Sequence, residues 1–258
     1  MEPSGPIEII RTAGHANHDG TGRLVDRNWV DIDLLRAWKS RCEQFHKACS
    51  EISRSHQLNK IRPRRLIDTW KQCIVLSQDA SRYVALSYVW GKQEHFKTQS
   101  KNFALLQEPF SLSPTNRPAI PRTVRDAMGL TKYLGKRYLW VDSLCVPQDD
   151  EKLIDTELNN MAYIFYNASL TIVAAQGTDS DYGLHGLQGI SKSRSFTQQI
   201  LAYDENIQLL CRQQRTEKEA RANRGWTFQE ALFSQRALVF ENDTVTWICR
   251  RAYWSEDS

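Results

Sequence analysis

The 258-residue chain contains no apolar run long enough to span a bilayer, and its longest apolar segments, such as Leu170–Ala175, have the length of a β-strand. Its first residues lack the basic start and the apolar stretch of a secretory signal peptide. Internal repeats and low-complexity tracts are missing as well. These absences predict a globular protein of the cytoplasm without a membrane span.

Several motifs of catalytic proteins are also missing. The chain has no Gly-rich phosphate loop, no nucleophilic serine elbow and no His-Glu zinc helix. The net charge of +4 is small and dispersed, and the densest basic segments, Arg62–Arg65 and Arg212–Arg224, are typical of solvated surface. We therefore expect no nucleic-acid partner.

The composition is that of a folded domain, with 41% hydrophobic residues, 25% charged residues and eight Trp. The first thirty residues are rich in Gly, Asn and His and are predicted to form a loose lead-in. Apolar residues then recur at intervals of three and four, which predicts a helix capped by Asp31 or Asp33. The apolar positions are Leu34, Leu35, Trp38, Cys42, Phe45, Cys49 and Ile52. We expect residues 1–60 to form a lead-in and a helix packed on a core domain of residues 61–258.

The six Cys are scattered and mostly lie in apolar surroundings, which predicts reduced, buried thiols. Cys42, His46 and Cys49 have spacings that suit a metal, but a closed zinc site needs four ligands and no fourth ligand is evident. Two of the three also belong to the apolar stripe of the helix. Packing is therefore the preferred interpretation, and no metal ion or cofactor is expected.

The centre of the chain alternates strand-like and helix-like segments. The predicted strands are Gln72–Leu76, Tyr83–Tyr88, Tyr138–Val141 and Leu170–Ala175. The predicted helices are a short one near Lys101–Gln107, one from Pro121 to Gly135, and one with Ile154, Leu158, Met161 and Phe165 on a single stripe. Strands that alternate with helices predict an α/β fold with a mainly parallel sheet flanked by helices. Two β-hairpins are expected in addition, Ser195–Leu201 with Asn206–Cys211, and Leu238–Phe240 with Thr244–Cys249.

Polar residues follow three of the predicted strands: Ser87–Gly91, Asp142–Ser143 and Gln176–Thr178. Because ligands bind at the carboxyl ends of parallel strands, we expect a binding site there. Two alternatives remain open from the pattern alone. Asp142 could simply cap a turn, and Cys145 could be a nucleophile, although no His lies near it in the sequence.

A helix that starts near Gly225 would place Trp226 and Glu230 four residues apart on one face. A carboxylate held dry against an indole has a raised pKa, and any charge that it keeps acts more strongly. The alternative is that Trp226 belongs to the core and Glu230 is a solvated acid in the first helical turn.

Three segments together resemble the blocks of the fungal heterokaryon incompatibility (HET) domain, in order and in spacing. They are Tyr83–Gly91, Tyr138–Asp149 and Arg224–Glu230. The match extends over roughly residues 83–240, so residues 61–258 are identified as a HET domain. The resemblance implies a role in fungal non-self recognition, in which incompatible cells die after fusion.

The HET blocks are in turn remotely similar to the Toll/interleukin-1 receptor (TIR) domain, which implies a flavodoxin-like core. Three segments resemble the first, second and third TIR strands: Leu86–Tyr88, Leu139–Asp142 and Ser169–Ala175. Trp226–Glu230 resembles the helix start whose Glu is catalytic in TIR domains that cleave NAD, with Thr227 in place of a Cys.

This second resemblance implies that Glu230 is the catalytic residue of an NAD glycohydrolase. Cleavage of the nicotinamide–ribose bond has an oxocarbenium-like transition state, and nicotinamide leaves as a neutral ring that needs no proton. A dry Glu230 would stabilise the cation. The implied substrate-binding residues are Ser87, Tyr88, Trp90, Gly91, Asp142, Ser143, Arg224 and Trp226. Tyr88 or Trp90 would stack on a base and Arg224 would pair with the pyrophosphate, while Asp142 and Ser143 would bind the ribose or the nicotinamide amide.

Two functions therefore stay open. The first is an NADase, a hydrolase that needs no cofactor and kills the cell by depleting NAD. The second is a death-signalling domain without catalysis, which assembles with itself and recruits other proteins. Self-association and death-signalling partners are implied by the resemblance in both cases.

Overall fold

The computed structural model describes residues 7–11, 24–50, 61–77, 82–115, 119–202, 207–212 and 233–257. The helices within these ranges are α1 (Ile32–Phe45), α2 (Lys47–Ser50), α3 (Ser100–Leu106), α4 (Arg122–Tyr133), α5 (Asp142–Cys145) and α6 (Glu151–Asn167). The strands are β1 (Ile7–Arg11), β2 (Arg65–Asp68), β3 (Cys73–Leu76), β4 (Tyr83–Ser87), β5 (Tyr138–Trp140), β6 (Leu170–Ala174), β7 (Gln198–Ala202), β8 (Ile207–Arg212), β9 (Arg236–Glu241), β10 (Thr244–Cys249) and β11 (Tyr253–Ser255).

The fold is α/β and is built on an eight-stranded sheet with the order β11-β10-β9-β6-β4-β5-β2-β3. Strands β9, β6, β4 and β5 are parallel to one another and form the centre. The four outer strands, β11, β10, β2 and β3, join this centre through antiparallel pairs. The expectation of a mainly parallel sheet is therefore wrong, because the sheet is mixed and most of its pairings are antiparallel.

Tight turns explain the antiparallel pairs between strands that follow each other in the chain, β9–β10 and β2–β3. Asn242 and Asp243 connect β9 to β10, and both have positive φ angles, of 50° and 58°, which are typical of two-residue hairpin turns. Residues 69–72 connect β2 to β3, and Gln72 also has a positive φ angle, of 49°. Such short connections reverse the chain and permit only antiparallel pairing. The alternation of strands and helices holds for β4, β5 and β6, which are joined by crossover helices. The prediction was wrong because it applied the same parallel arrangement to the outer strands, which have no such helices among the described residues.

A second sheet has three strands in the order β1-β8-β7. Its β7–β8 pair confirms the first predicted hairpin, and the β9–β10 pair confirms the second. The prediction of a loose lead-in is wrong for Ile7–Arg11, which pairs antiparallel with β8 from Ile7↔Cys211 to Arg11↔Ile207. The partner that makes this segment a strand lies about two hundred residues later in the chain, so local composition gave no sign of it.

The predicted helices are found with small differences in their ends. Asp31 caps α1, since its carboxylate accepts a hydrogen bond from the backbone N–H of Leu34 at 3.2 Å. Helix α4 follows Pro121 and stops before Gly135, whose φ of +71° ends the helical geometry. The predicted apolar stripe of α6 is wrong at Leu158, because that side chain is 51% exposed.

The buried core surrounds the central parallel strands. Every residue of β4 and β6 is buried, as expected for strands covered on both faces. Tyr83 donates its hydroxyl to the backbone oxygen of Ile164 at 2.6 Å, and the rings of Trp140 and Phe165 meet edge to face at 5.5 Å. These contacts fix α6 against the sheet.

Helix α1 contributes Leu35, Trp38 and Cys42 to the same buried cluster as the central strands. The domain boundary near residue 60 stays a prediction, because residues 51–60 lie outside the described ranges. No helix among the described residues combines the length and the hydrophobicity needed to cross a membrane.

Candidate functional site at the carboxyl ends of the parallel strands

The carboxyl ends of β4, β5, β6 and β9 meet at one edge of the sheet, because these strands are parallel. The segments that leave this edge begin with Tyr88, Val141, Ala175 and Asn242. This is the carboxyl edge, where open α/β sheets bind ligands. Six of the predicted site residues lie there or directly beside it: Ser87, Tyr88, Trp90, Gly91, Asp142 and Ser143.

Trp90 and Asp142 form the central contact of the carboxyl edge. The indole Nε1 of Trp90 lies 3.2 Å from Oδ1 and 3.0 Å from Oδ2 of the Asp142 carboxylate. The backbone N–H of Ser143 donates to Oδ1 at 2.7 Å. Asp142 is the first residue of α5, and its carboxylate binds both the N–H of the next residue and an aromatic side chain of the neighbouring loop. The turn interpretation therefore accounts for only part of its contacts, and its role in binding a ligand stays a prediction.

The Asp142 carboxyl is only partly exposed to solvent, and the surrounding protein changes its proton affinity. Burial raises the pKa of Asp142 from 3.8 to about 6, although the Ser143 N–H and the Trp90 indole both stabilise the ionised form and oppose this rise. A carboxyl with this pKa is ionised at neutral pH and exchanges its proton readily just below it. Such groups are common at sites of chemistry.

Tyr88 and Ser143 lie behind this pair. Their hydroxyl oxygens are 2.7 Å apart, and the side chains are 8% and 0% exposed. Burial and the nearby Asp142 charge raise the pKa of Tyr88 well above its usual value, so it stays a neutral phenol. Ser87 is also buried, at 1% exposure. Of the six predicted site residues at the carboxyl edge, Trp90, Gly91 and Asp142 are therefore the ones that meet solvent.

Segment 91–100 holds α5 in place. The backbone N–H of Thr98 donates to the Ser143 oxygen at 3.0 Å, and its hydroxyl donates to the Leu144 oxygen at 2.7 Å. The backbone N–H of Gln148 donates back to the Thr98 oxygen at 2.8 Å. The position of Asp142 is therefore set from two sides, by its own strand and by this segment.

Gly91 allows the loops after β4 and β6 to meet. Its φ is +81°, and a Cβ atom at this position would lie 2.6 Å from the Cβ of Asp179. The backbone N–H of Ser180 donates to the oxygen of Trp90 at 3.3 Å. A side chain at position 91 would push these loops apart and shift Trp90.

Hydrogen bonds between polar side chains connect the loops of this edge. Gln176 donates from Nε2 to the Tyr182 hydroxyl at 2.8 Å and to Asp243 Oδ1 at 3.0 Å, while the Asp243 N–H donates to Gln176 Oε1 at 2.9 Å. The amide of Gln176 therefore clamps the loops after β6 and β9. The sequence pattern predicted Gln176 at this edge, because it follows a predicted strand, but it missed the partners Tyr182 and Asp243.

His95 was also missed. Its ring meets the Trp90 indole edge to face at 5.1 Å, and its Nδ1 lies 3.4 Å from the Gln93 oxygen. Its Nε2 is buried and has no hydrogen-bond partner among the described residues. An unpaired ring nitrogen beside the Trp90–Asp142 pair is a group that a bound ligand would satisfy.

Cys145 does not have the surroundings of a nucleophile. It is 2% exposed, and burial raises the pKa of its thiol to about 12. The thiolate needed for covalent catalysis is therefore strongly disfavoured. This finding argues against the thiol alternative.

A separate group of side chains lies at the amino end of β9. Cys42, His46, Cys49 and Cys249 place one ligand atom each within 4.8 Å of one another. Cys249 is opposite Arg236, the first residue of β9, so this group is at the other end of the sheet from Asp142. The packing interpretation depends on the lack of a fourth ligand, and Cys249 provides one.

Three predicted site residues, Arg224, Trp226 and Glu230, lie outside the described residues, which omit 213–232. Their assignment as substrate-binding and catalytic residues stays a prediction from sequence.

The sequence matches a known family over more than half of its length. The match is to the family described as heterokaryon incompatibility protein (HET), and it covers residues 83–230 of the 258. It begins at Tyr83 and ends at Glu230, which are the first and last residues of the three sequence blocks. No curated protein and no solved structure matches the chain.

Proposed function

The chain belongs to the heterokaryon incompatibility (HET) family, and we propose that it acts in fungal non-self recognition by cleaving the nicotinamide–ribose bond of NAD and so killing the cell. The contact between Trp90 and Asp142 at the carboxyl edge is the observation that supports this proposal most directly. It joins two of the three family blocks at the place where α/β sheets bind nucleotides.

The exposed groups of the carboxyl edge suit a nicotinamide nucleotide. Trp90 offers a partly exposed indole that can stack on a flat ring. A carboxylate has about four lone-pair sites, so Asp142 keeps acceptor capacity for a ribose hydroxyl or the nicotinamide amide. Tyr88 and Ser143 are buried and support Asp142 from behind.

The reaction consumes one water molecule. The bond between the ribose C1′ and the nicotinamide nitrogen breaks, and the electron pair neutralises the pyridinium ring. Water adds to C1′ and releases a proton, so that NAD⁺ and water give ADP-ribose, nicotinamide and H⁺. Glu230 is the proposed group that stabilises the cationic ribose and accepts the proton, and Arg224 is the proposed partner of the pyrophosphate.

The decisive experiment follows nicotinamide release from NAD by chromatography, with the purified chain at low and at high concentration. High concentration is included because self-association is proposed. We expect turnover in the wild type and at least a hundredfold loss in Glu230→Gln. Glu151→Gln changes an exposed acid at the start of α6 and is the matched control, for which wild-type turnover is expected.

Two results would overturn the catalytic part of the proposal. One is the absence of nicotinamide release at every concentration, which would favour a death-signalling domain that assembles without catalysis. The other is equal turnover in the wild type and in Glu230→Gln, which would place the chemistry on another residue.

A further inference from the structure

Four potential metal ligands come together from opposite ends of the chain. Helix α1 ends at Phe45, His46 follows as its C-terminal cap, and Cys49 belongs to α2. Cys249 is the last residue of β10 and lies 203 residues after His46. The Sγ atoms of the three Cys and a ring nitrogen of His46 all lie within 4.8 Å of one another.

The local backbone explains how three of these ligands share one corner. Cys42 and His46 are four residues apart and lie on the same face of the helix end. The backbone N–H of His46 donates to the Cys42 oxygen at 3.1 Å, and the N–H of Cys49 donates to the His46 oxygen at 2.9 Å. The second bond turns the chain and brings Cys49 back beside the other two residues.

We propose that Cys42, His46, Cys49 and Cys249 form a structural zinc site. Tetrahedral zinc binds thiolate sulfur at about 2.3 Å and imidazole nitrogen at about 2.0–2.1 Å, which places neighbouring ligand atoms roughly 3.6 Å apart. Cys249 Sγ and His46 Nδ1 are 3.4 Å apart, close to this spacing. Small movements of the side chains would complete the tetrahedron.

The donor set selects zinc among the common cations. Three thiolates and one imidazole are soft ligands, whereas Mg²⁺ and Ca²⁺ take oxygen ligands. Four protein ligands close the tetrahedron and leave no position for water or substrate, which is the pattern of a structural zinc site.

The surroundings also suit a zinc–thiolate centre. Three thiolates around Zn²⁺ carry a net charge of −1, and the Arg236 guanidinium donates from Nε to Cys42 Sγ at 3.3 Å. Arg236 is 8% exposed, so its positive charge acts at short range in a dry environment. The Trp254 ring covers His46 at 5.4 Å between ring centres.

Such a site would link the helices α1 and α2 to the eight-stranded sheet at β10. Helices α1 and α2 would be joined through the metal to β10, an element more than two hundred residues later. Zinc binding would then contribute directly to the free energy of folding. This role is independent of the proposed NAD chemistry, since the two groups lie at opposite ends of β9.

The test measures zinc in the full chain after expression in zinc-supplemented medium and exhaustive dialysis. Elemental analysis is expected to give about one zinc ion per wild-type chain. Cys249→Ser is expected to lower the zinc content at least tenfold. Cys73→Ser is the matched control, since it removes a buried thiol that lies outside the cluster, and it is expected to keep the metal.

Two further measurements keep the proposal testable if Cys249→Ser does not fold. Replacing zinc by Co²⁺ in the wild type is expected to give sulfur-to-cobalt charge-transfer bands and the visible bands of a tetrahedral ion. A strong chelator is expected to lower the thermal unfolding temperature of the wild type and of Cys73→Ser.

Several outcomes would overturn the proposal. They are a metal-free wild type without cobalt–thiolate bands, wild-type zinc content in Cys249→Ser, or a disulfide between two of the three cysteines in the freshly purified chain.

Discussion

Arg194 and Glu256 form an ion pair inside the protein, with side chains that are 0% and 2% exposed. The Arg194 guanidinium also donates to the backbone oxygens of Asp26, Trp29 and Asp243, at 2.8, 2.7 and 2.8 Å. This single side chain therefore joins the segment before α1, the β9–β10 turn and the C-terminal end of the described chain. Neither residue stood out in the sequence.

Removing Arg194 should destabilise the protein strongly. Arg194→Met leaves the Glu256 carboxylate buried without a partner and frees three backbone oxygens, so the free energy of unfolding should fall by about 3–5 kcal/mol. Glu256→Gln keeps the volume and all of the guanidinium–carbonyl bonds, and burial raises the pKa of Glu256 to about 7, so a neutral side chain is tolerated there and its cost should be less than half of that value. Urea unfolding followed by circular dichroism measures both, and a loss below about 1 kcal/mol for Arg194→Met would contradict this account.

Gly91→Ala should cost more than the same change at Gly135. Both residues have left-handed φ angles, of +81° and +71°. At either site this backbone conformation destabilises an Ala by about 1 kcal/mol. A Cβ at position 91 would also lie 2.6 Å from the Asp179 Cβ, whereas nothing lies within 4 Å at position 135. We expect Gly91→Ala to lose roughly 1–3 kcal/mol more than Gly135→Ala in urea unfolding. Equal losses would show that the loops after β4 and β6 separate freely.

Asp142 should make the folded state less stable as the pH rises from about 4 to about 6. Burial raises the pKa of its carboxyl from 3.8 to about 6 in the folded state. Below about pH 4 the Asp142 carboxyl is protonated in both the folded and the unfolded state. Between about pH 4 and pH 6 the unfolded chain loses this proton first, so the free energy of unfolding falls as the pH rises. Above about pH 6 the carboxyl is ionised in both states, and the free energy of unfolding no longer changes through Asp142. The shift corresponds to a loss of up to about 3 kcal/mol across the window.

The pH dependence of urea unfolding in Asp142→Asn tests this assignment. In this variant the unfolding free energy should no longer fall between about pH 4 and pH 6 by the amount that Asp142 contributes. Asp155→Asn changes an exposed residue of α6 and should keep the wild-type pH dependence. Curves for the wild type and Asp142→Asn that run parallel from pH 4 to pH 7 would mean that the Asp142 carboxyl titrates normally.

Trp90→Phe should lower the free energy of unfolding mainly at pH values at which Asp142 is ionised. The change keeps an aromatic ring but removes the Nε1–H that donates to the carboxylate. A hydrogen bond to a charged group is worth about 1.5–3 kcal/mol, and a bond to the protonated acid is worth less. The loss in unfolding free energy should therefore be larger at about pH 7.5 than at about pH 5.

Trp70→Phe is the matched control for this variant, because Trp70 is 54% exposed and lies outside the carboxyl edge. It should have a small effect at both pH values. A loss for Trp90→Phe that is the same at both pH values would show that the indole contributes through packing alone.

The strongest local patterns predicted the elements that need no distant partner to be recognised. Asp31 and the apolar spacing after it marked α1, and Pro121 and Gly135 marked α4, because caps and periodicity act within a few residues. The apolar runs of β4 and β6 marked strands buried on both faces. Short strands such as β2 and β11 carried no such pattern and were missed.

The sequence by itself determined the family, the central α/β order and the residues that end the first parallel strands. Each of these depends on short segments of residues that are neighbours in the chain. The tertiary structure decided which distant residues meet. It placed the Trp90 indole on Asp142, buried Arg194 against Glu256, and brought Cys249 to Cys42, His46 and Cys49. Contacts of this kind depend on how strands pair and cross, and the energy that selects the pairing comes from burying the whole sheet at once.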